Sequence, residues 1–337
     1  MLTINQPAIT DQQISDFALH PANHERFAEL LIKILPAYTN WIWGQDNIYR
    51  RYFNRWQQAG FNLAPNHYYS AIPNTANLTP KILDARSEMI GIDWRKDDQL
   101  RFLREVCNRF RPEYEQFPER ATGVPHQFYL LNGAFGKVDA EVLHSMIRHY
   151  KPRRVIEIGS GCSTLVTAAA LEINRSQDGR QSRFTAIEPY PGPLFRHPIP
   201  GLTDLLQRPL EDVDWSLFQE LAENDVLFID STHAVKCGGD VNRIYLEVLP
   251  RLRPGVLVHV HDIFLPAEYP KAWLVDEHVF WTEQYLLQAF LTFNRAFQVL
   301  WGGSYMRLEH SDELARYIPS YRNDATPGSF WMRRVAT

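Results

Sequence analysis

The stretch Arg154-Val-Ile-Glu-Ile-Gly-Ser-Gly-Cys-Ser-Thr164 decides the fold of this chain. Its first five residues are mostly apolar and β-branched, which predicts a buried strand. The two glycines that follow allow a sharp turn and a close approach of the backbone to a ligand. Ser163 or Thr164 can then cap a helix whose free amides point toward the same space. The stretch therefore predicts a strand, a glycine turn and a helix, with a ligand bound at the turn.

The second half of the chain continues this alternation of strands and helices. Strands are predicted at 154–158, 183–188, 225–230, 256–261, 298–301 and 330–333, with a weaker candidate at 205–207. Helices are predicted at 163–174, 239–250 and 279–293. Such alternation is typical of an α/β fold whose mostly parallel sheet is covered on both faces. Ligands of such sheets bind beyond the carboxyl ends of the strands.

The organisation of the chain changes near residue 150. Before that point the apolar spacing is mostly helical, and residues 61–80 are rich in Pro, Asn and Thr. We predict an N-terminal helical lid at 1–60, a helical and irregular cap at 61–150, and a ligand-binding domain at 151–337.

The composition is that of a globular protein, with 337 residues, 45% hydrophobic and 22% charged. The formal net charge of −4 and the lack of a long basic run argue against nucleic-acid binding. No run of about 18 apolar residues predicts a membrane span. The polar start of the chain and three unpaired cysteines predict a cytoplasmic protein. We expect a small-molecule substrate, with a homodimer left open.

The residues around the glycine turn separate three classes of ligand. A nucleotide-binding P-loop needs Lys followed by Ser or Thr after the second glycine, where Cys162 and Ser163 stand instead. A dinucleotide fingerprint needs a third glycine near Thr164, and this chain has none there. Glu157, before the first glycine, resembles the acidic residue of the first motif in class I methyltransferases, which use S-adenosylmethionine (SAM).

That resemblance implies a Rossmann-like sheet of seven strands, mostly parallel with an antiparallel last strand, and SAM as cosubstrate. It implies that Gly159, Ser160 and Gly161 approach the ligand and that Glu157 lies near its ammonium group. Glu188 ends the second predicted strand, where the family places an acidic residue that accepts hydrogen bonds from the ribose hydroxyls.

Polar residues also end the fourth and fifth strands, in Asp230-Ser-Thr-His233 and His259-Val-His-Asp262. Together with Glu283-Gln-Tyr-Leu-Leu-Gln288, these turns resemble the bacterial branch grouped as methyltransferase domain 24. The likeness spans about residues 60–335. It implies that Asp230 and Ser231 also contact SAM, and it leaves the substrate open.

Three roles remain open for Asp230, His233, His261 and Asp262. A histidine can act as general base with an aspartate orienting its ring. The same groups can hold a divalent cation, as catechol O-methyltransferase-like enzymes do after these two strands, or they can brace the loops. We place His233 and Asp230 in the catalytic set, His261 and Asp262 at the substrate, and no metal. By alternation along the strand, His259 is expected to face away from His261.

The segment Tyr129–Asp139 precedes the helix that leads into the glycine motif. In class I folds this region often covers the methionine half of SAM. Asn132 is therefore added to the catalytic set, as a candidate to bond the carboxylate or amine, and Phe135 is a candidate to face the sulfonium. The alternative is a turn with Asp139 at the start of a helix.

Aromatic residues are concentrated near the start of the chain, at Trp41, Trp43, Tyr49, Tyr52, Phe53, Trp56, Tyr68 and Tyr69. At helical spacing such residues usually pack in a core. They can also close over a sulfonium, because aromatic faces stabilise cations. We name Trp56, Tyr68 and Tyr69 as lid candidates.

Three functions follow from these features. The first is methyl transfer from SAM to a small acceptor. The second rests on a resemblance of the aromatic front and the core to bacterial azetidine-2-carboxylate synthases, in which the α-amine of SAM attacks its own Cγ and releases methylthioadenosine. The third is SAM binding without catalysis.

Overall fold

The computed structural model describes residues 10, 12, 15–17, 20–43, 46–322 and 325–336, and for 40–43 and 46–49 it describes the backbone alone. The chain forms two compact units, residues 1–77 and 78–337. The predicted divisions at residues 60 and 150 stay predictions. The described part of the first unit contains the helices Pro21–Trp43 and Asp46–Gln58 and a 3₁₀ turn at Thr75–Asn77.

The described part of the second unit contains one seven-stranded sheet. Its strands are β1 Arg154–Ile158, β2 Arg183–Ile187, β3 Asp204–Leu206, β4 Val226–Ile229, β5 Leu257–Val260, β6 Phe297–Gly302 and β7 Phe330–Arg334. They lie in the order β3-β2-β1-β4-β5-β7-β6. The pairs from β3 to β5 are parallel, whereas β7 is antiparallel to both β5 and β6. The predicted class I methyltransferase sheet with an antiparallel last strand is confirmed.

Helices precede, connect and follow these strands. They are Pro80–Leu83, Lys96–Arg101, Asn108–Tyr114, Asp139–Tyr150, Cys162–Asp178, Ser216–Gln219, Asp240–Arg243, Leu249–Arg251, Lys271–Val275, Glu283–Leu291, Gly303–Glu309 and Ser311–Tyr317. Single turns of 3₁₀ helix lie at Pro193–Arg196 and Leu210–Asp212, and π-helical turns lie at Phe102–Cys107 and Ile244–Val248. Among the described residues no helix has the length and apolarity that a membrane crossing requires.

The central strands are apolar because helices cover both faces of the sheet. Every residue of β4 and β5 is buried, and so are the last four residues of β1. Val155 and Phe228 belong to the apolar cluster on one face, and Ile156 and Leu227 to the cluster on the other. Polar side chains are concentrated where the parallel strands end, which is where the candidate site lies.

Candidate functional site

The glycine turn after β1 is held tightly against the turn after β4. Gly159 has φ +76°, a conformation that favours glycine. A methyl group at this position would lie 1.7 Å from the Asp230 carbonyl oxygen. The Gly159 amide donates to the Ile187 carbonyl (2.9 Å), and the Asp230 amide donates to the Ile158 carbonyl (2.8 Å). The ends of β1, β2 and β4 are therefore locked together.

Glu157 is fully buried beneath this turn. Its carboxyl group accepts hydrogen bonds from the Ser163 hydroxyl (2.6 Å) and the Thr164 hydroxyl (2.7 Å). Burial raises the pKa of Glu157 to about 8, although the two hydroxyls oppose the rise. The structure thus shows Glu157 bracing the first turn of the helix Cys162–Asp178, and its predicted place beside the SAM ammonium stays a prediction.

Glu188 and Asp230 open onto a common cavity of about 350 Å³, called here the first cavity. The Glu188 carboxylate accepts from the backbone amides of Ser160 (3.2 Å) and Tyr190 (2.8 Å), which fixes its direction. Its remaining lone pairs are available to a ligand. The residues lining this cavity include Gly159, Glu188, Tyr190, Asp230, Ser231 and Asp240.

Two predicted contacts near the first cavity carry hydroxyls without a partner. The Ser160 and Ser231 hydroxyl oxygens are buried and make no hydrogen bond within the part of the chain that the structure describes. Ser231 lines the cavity, and the loop that carries it is held by Asp240. The Asp240 carboxylate accepts from the Thr232 amide (3.0 Å) and hydroxyl (2.6 Å).

His233 lies among three carboxylates at the junction of the β4 and β5 loops. Its Nδ1 is 2.8 Å from Glu283 Oε2, and its Nε2 is 3.1 Å from Asp230 Oδ1 and 3.7 Å from Asp262 Oδ2. Burial alone would lower the pKa of His233, but the hydrogen bonds to Asp230 and Glu283 outweigh it and raise the pKa to about 10. A ring that is cationic at neutral pH donates protons, so the predicted role of His233 as general base is not supported.

The same cluster has the composition of a cation site. One ligand atom each from Asp230, His233 and Asp262 lies within 4.8 Å of the others. Two carboxylates and an imidazole suit a divalent transition metal better than Mg²⁺. Such an ion would have to displace the Nε2 proton of His233. The cluster can therefore carry either an imidazolium or a bound cation between its two aspartates.

His261 and His259 lie on the same side of β5 and its extension, so the expectation that they face apart is wrong. Their ring centroids are 5.8 Å apart, since residues two apart on a strand share a face. His259 is bonded to the Ser329 hydroxyl (2.9 Å), and burial lowers its pKa well below the usual value. His261 lies 3.5 Å from Asp262 Oδ1. Burial would lower the pKa of His261, but Asp262, Asp230 and Asp139 raise it.

Asn132 is fully occupied within its own turn. Its amide nitrogen donates to the carbonyls of Tyr129 and Phe135 (both 2.7 Å), and its oxygen accepts from the amides of Ala134 (2.9 Å) and Phe135 (2.8 Å). A side-chain amide has two donors and two lone pairs, so none is left for a ligand. The predicted catalytic role of Asn132 is therefore not supported, and its side chain shapes the turn.

Phe135 points into the core. Its ring packs 4.9 Å from His261 and 5.9 Å from Phe228. The turn around it borders a second cavity of about 370 Å³, whose relevant lining residues are Gly133, Lys137, Asp139, His261, Asp262 and Trp273. His261 and Asp262 therefore line a cavity, as expected of substrate candidates, whereas the Phe135 ring lies beneath it.

The predicted lid residues belong to the first unit of the chain. Tyr68 and Tyr69 are 92% and 85% exposed, and their rings pack edge to face at 5.4 Å. The Trp56 ring stacks at 6.4 Å on Tyr52. The side chains of Trp41, Trp43 and Tyr49 lie outside the described residues. Closure of these aromatics over a sulfonium stays a prediction.

Comparison with known proteins identifies a methyltransferase domain within the chain. The SAH-bound methyltransferase PaMTH1 of Podospora anserina is 16% identical with a TM-score of 0.36, covering 69% of this chain and 96% of that one. A structure described as cmcI-D160 Mg-SAM is 17% identical with a TM-score of 0.35, covering 83% and 100%. Residues 156–263 match the family model of a methyltransferase domain. An uncharacterised protein of Archaeoglobus fulgidus is 34% identical over 177 residues, which are 50% of this chain and 77% of that protein. Residues 156–263 thus form a methyltransferase domain, set in a sheet with the class I methyltransferase strand order.

The sequence alone did not identify three residues of the site. Glu283 was noted only as part of a family motif, although an acidic residue at a helix start after a loop is a usual sign of a local contact. Asp240 resembled an ordinary first-turn acid, and Lys137 resembled an exposed charge beside a glycine. Only the fold shows that Glu283 and Asp240 bond the loop after β4 and that Lys137 lines the second cavity.

Proposed function

We propose that this protein transfers a methyl group from SAM to a small-molecule acceptor. The observation that carries the proposal is the first cavity, where Gly159, Glu188 and Asp230 come together from the ends of three parallel strands. An acidic residue at the end of the second strand suits the ribose of SAM and of a dinucleotide alike, and the lack of a third glycine near Thr164 favours SAM.

The first cavity offers a matching group for each part of an adenosyl ligand. Glu188 has free lone pairs for two ribose hydroxyls, and the unpartnered Ser231 hydroxyl can bond the same ligand. Tyr190, which is 88% exposed at the rim, offers an aromatic face to the adenine. Gly159 lines the same cavity, and the lack of a side chain there lets a ligand lie close to its backbone.

The second cavity is the proposed acceptor site. It shares the Asp230–His233–Asp262 cluster with the first cavity, because Asp230 lines one cavity and Asp262 the other. Within the described residues Lys137 has no ion-pair partner, so an acceptor with an anionic group would complement it. The Trp273 ring provides a flat wall for a planar group.

Asp262 is the proposed proton acceptor. Burial raises the pKa of this carboxyl, which makes it a better base than an exposed aspartate, while His261 opposes the rise. The acceptor oxygen or nitrogen attacks the methyl carbon, the carbon–sulfur bond breaks with its electrons on sulfur, and the acceptor proton passes to Asp262. S-adenosylhomocysteine (SAH) and the methylated acceptor leave.

Incubation with SAM tests this function. The pure protein is given SAM alone, or SAM with a small-molecule fraction of a cell extract, and the products are separated by mass. SAH formed only with the extract is expected, and Asp262→Asn should reduce it strongly while SAH binding is kept. Methylthioadenosine with azetidine-2-carboxylate from SAM alone would replace methyl transfer by cyclisation. Tight SAM binding without turnover would favour a non-catalytic role.

A further inference from the structure

We propose that Glu283 is a positioning residue of this site, which acts through His233. The inference rests on the proposed function for its kinetic consequence. Its structural part, that Glu283 sets the orientation of the His233 ring, can be tested without any substrate.

The contact between the two side chains is buried and direct. Glu283 is completely buried at the start of the helix Glu283–Leu291, and its Oε2 lies 2.8 Å from Nδ1 of His233. Its other oxygen makes no hydrogen bond within the described residues, and the buried Tyr245 hydroxyl is the neighbouring polar group that interacts with this carboxylate. A buried carboxylate needs a charged or hydrogen-bonded partner, and His233 supplies it.

The backbone reinforces this contact. The amides of Thr282 and Glu283 donate to the His233 carbonyl at 2.9 Å and 3.1 Å, and the Val235 amide donates to the Thr282 hydroxyl at 2.8 Å. The start of this helix therefore holds the β4 loop on both sides of His233.

The next residue of the helix holds the other loop. The Gln284 side-chain oxygen accepts from the Phe264 backbone amide (3.0 Å). The backbone amide of Gln284 donates to the Tyr269 hydroxyl (3.1 Å). Glu283 and Gln284 thus connect the loops after β4 and β5, which carry Asp230 and Asp262.

Orientation matters for His233 because its two ring nitrogens have different partners. A hydrogen bond at one imidazole nitrogen decides which way the other points. With Nδ1 held by Glu283, Nε2 faces Asp230 and Asp262, the carboxylates of the two cavities. His233 has φ +56°, a strained value for a non-glycine residue, and the Trp281 ring packs 4.3 Å from its ring. Without Glu283 the ring can turn and the spacing of the two carboxylates is lost.

Three variants and a control separate positioning from folding. Glu283→Leu removes the acceptor, Glu283→Asp keeps a carboxylate that is too short to reach, and Glu283→Gln keeps an oxygen that can accept from Nδ1. Tyr285→Phe, in the same helical turn, removes a hydroxyl that bonds Glu268 and is the matched control. Each is compared with the unaltered chain by thermal unfolding and SAH titration.

The first readout is the solvent-protected Nδ1–H proton of His233 in the NMR spectrum, identified by its loss in His233→Gln and distinguished from the Nε2–H proton by couplings within the ¹⁵N-labelled ring. We expect it in the unaltered chain, Glu283→Gln and Tyr285→Phe, and expect it to be lost in Glu283→Leu and Glu283→Asp. Its persistence in a folded Leu variant, or in the Asp variant if Leu does not fold, would overturn the inference.

The second readout is SAH release with the extract fraction that supports turnover. Glu283→Leu should lower kcat by roughly 10- to 100-fold, the size of effect that misplaced groups produce, with KM for SAM within about two-fold. An unchanged kcat in the Leu variant would remove Glu283 from the reaction. If no fraction supports turnover, the proposed function fails, while the NMR result still decides the role of Glu283.

Discussion

Gly159 lies so close to Asp230 that a methyl group on its α-carbon would meet the Asp230 carbonyl oxygen at 1.7 Å. Gly159→Ala should therefore lower the free energy of unfolding by at least about 3 kcal/mol, because it adds an overpacked contact to an unfavourable φ. Urea unfolding measures the loss. Gly179→Ala is the matched control, since Gly179 has φ +66° with open space around it and should cost only about 1 kcal/mol. Equal losses in the two variants would show that the contact is easily relieved.

Glu188→Ala should weaken SAH binding by roughly 10- to 100-fold, because a carboxylate that accepts hydrogen bonds from ribose hydroxyls contributes charge-assisted bonds. Calorimetric titration with SAH measures the change. Glu211→Ala removes an acid that lines the same cavity without following β2, so it controls for charge. An unchanged dissociation constant in Glu188→Ala would remove this residue from the ribose site.

Glu157 gives a pH dependence of stability whose sign follows from its raised pKa. The carboxyl titrates near 4.5 when unfolded and at about 8 when folded. Its neutral form therefore contributes stability that is fully present below pH 4.5 and is lost as the pH rises through 8, on the order of a few kcal/mol.

Glu157→Gln should flatten the curve of unfolding free energy between pH 5 and 9, because the amide cannot ionise. Chemical unfolding at a series of pH values measures the two curves. Glu172→Gln, an exposed change on the same helix, should leave the curve of the unaltered chain in place. Parallel curves for the chain and Glu157→Gln would contradict a raised pKa at this site.

Asn132→Ala should lower stability by about 1–3 kcal/mol and leave SAH affinity within about two-fold, because the four hydrogen bonds of this side chain are internal to its turn. Unfolding and SAH titration measure both effects. Asn294→Ala, at a distant turn that its side chain braces in a similar way, is the comparison. A large loss of SAH affinity with little change in stability would return Asn132 to the ligand site.

Added Mg²⁺ or Mn²⁺ should leave the thermal unfolding temperature unchanged, since His233, with a pKa of about 10, already places a positive charge between Asp230 and Asp262. Differential scanning fluorimetry over a range of cation concentrations measures this. A concentration-dependent rise that Asp262→Asn abolishes would establish a metal at the cluster.

The spacing of apolar residues, and the turn residues that bound each apolar run, were enough to predict the sheet. All seven strands and the three core helices lie within a few residues of the predicted ranges, because the buried parallel strands are continuous apolar runs bounded by turns. Because these runs show where each strand ends, the polar residues that follow β1, β2, β4 and β5 could be named as site candidates. Glu188, Asp230 and Ser231 indeed line one cavity.

Side-chain partnerships could not be predicted in the same way. The sequence shows a histidine near two aspartates, but whether it is a base or an imidazolium depends on Glu283, fifty residues further along the chain. Asn132 and Phe135 were interpreted from their position alone, and local hydrogen bonds and core packing determine what they do. The error at His259 was one of strand geometry, since alternation places residues two apart on one face.

The position of β7 between β5 and β6 has a consequence for synthesis of the chain. β5 ends just before His261 and Asp262, and its outer edge pairs with β7, residues 330–334. A ribosome therefore produces the methyltransferase domain at 156–263 well before the strand that completes its sheet. During that interval the edge beside the acceptor cavity exposes unpaired backbone groups, which favour pairing with another chain. Shortening the chain before residue 330 should for this reason promote aggregation even though every residue proposed to contact SAM is present.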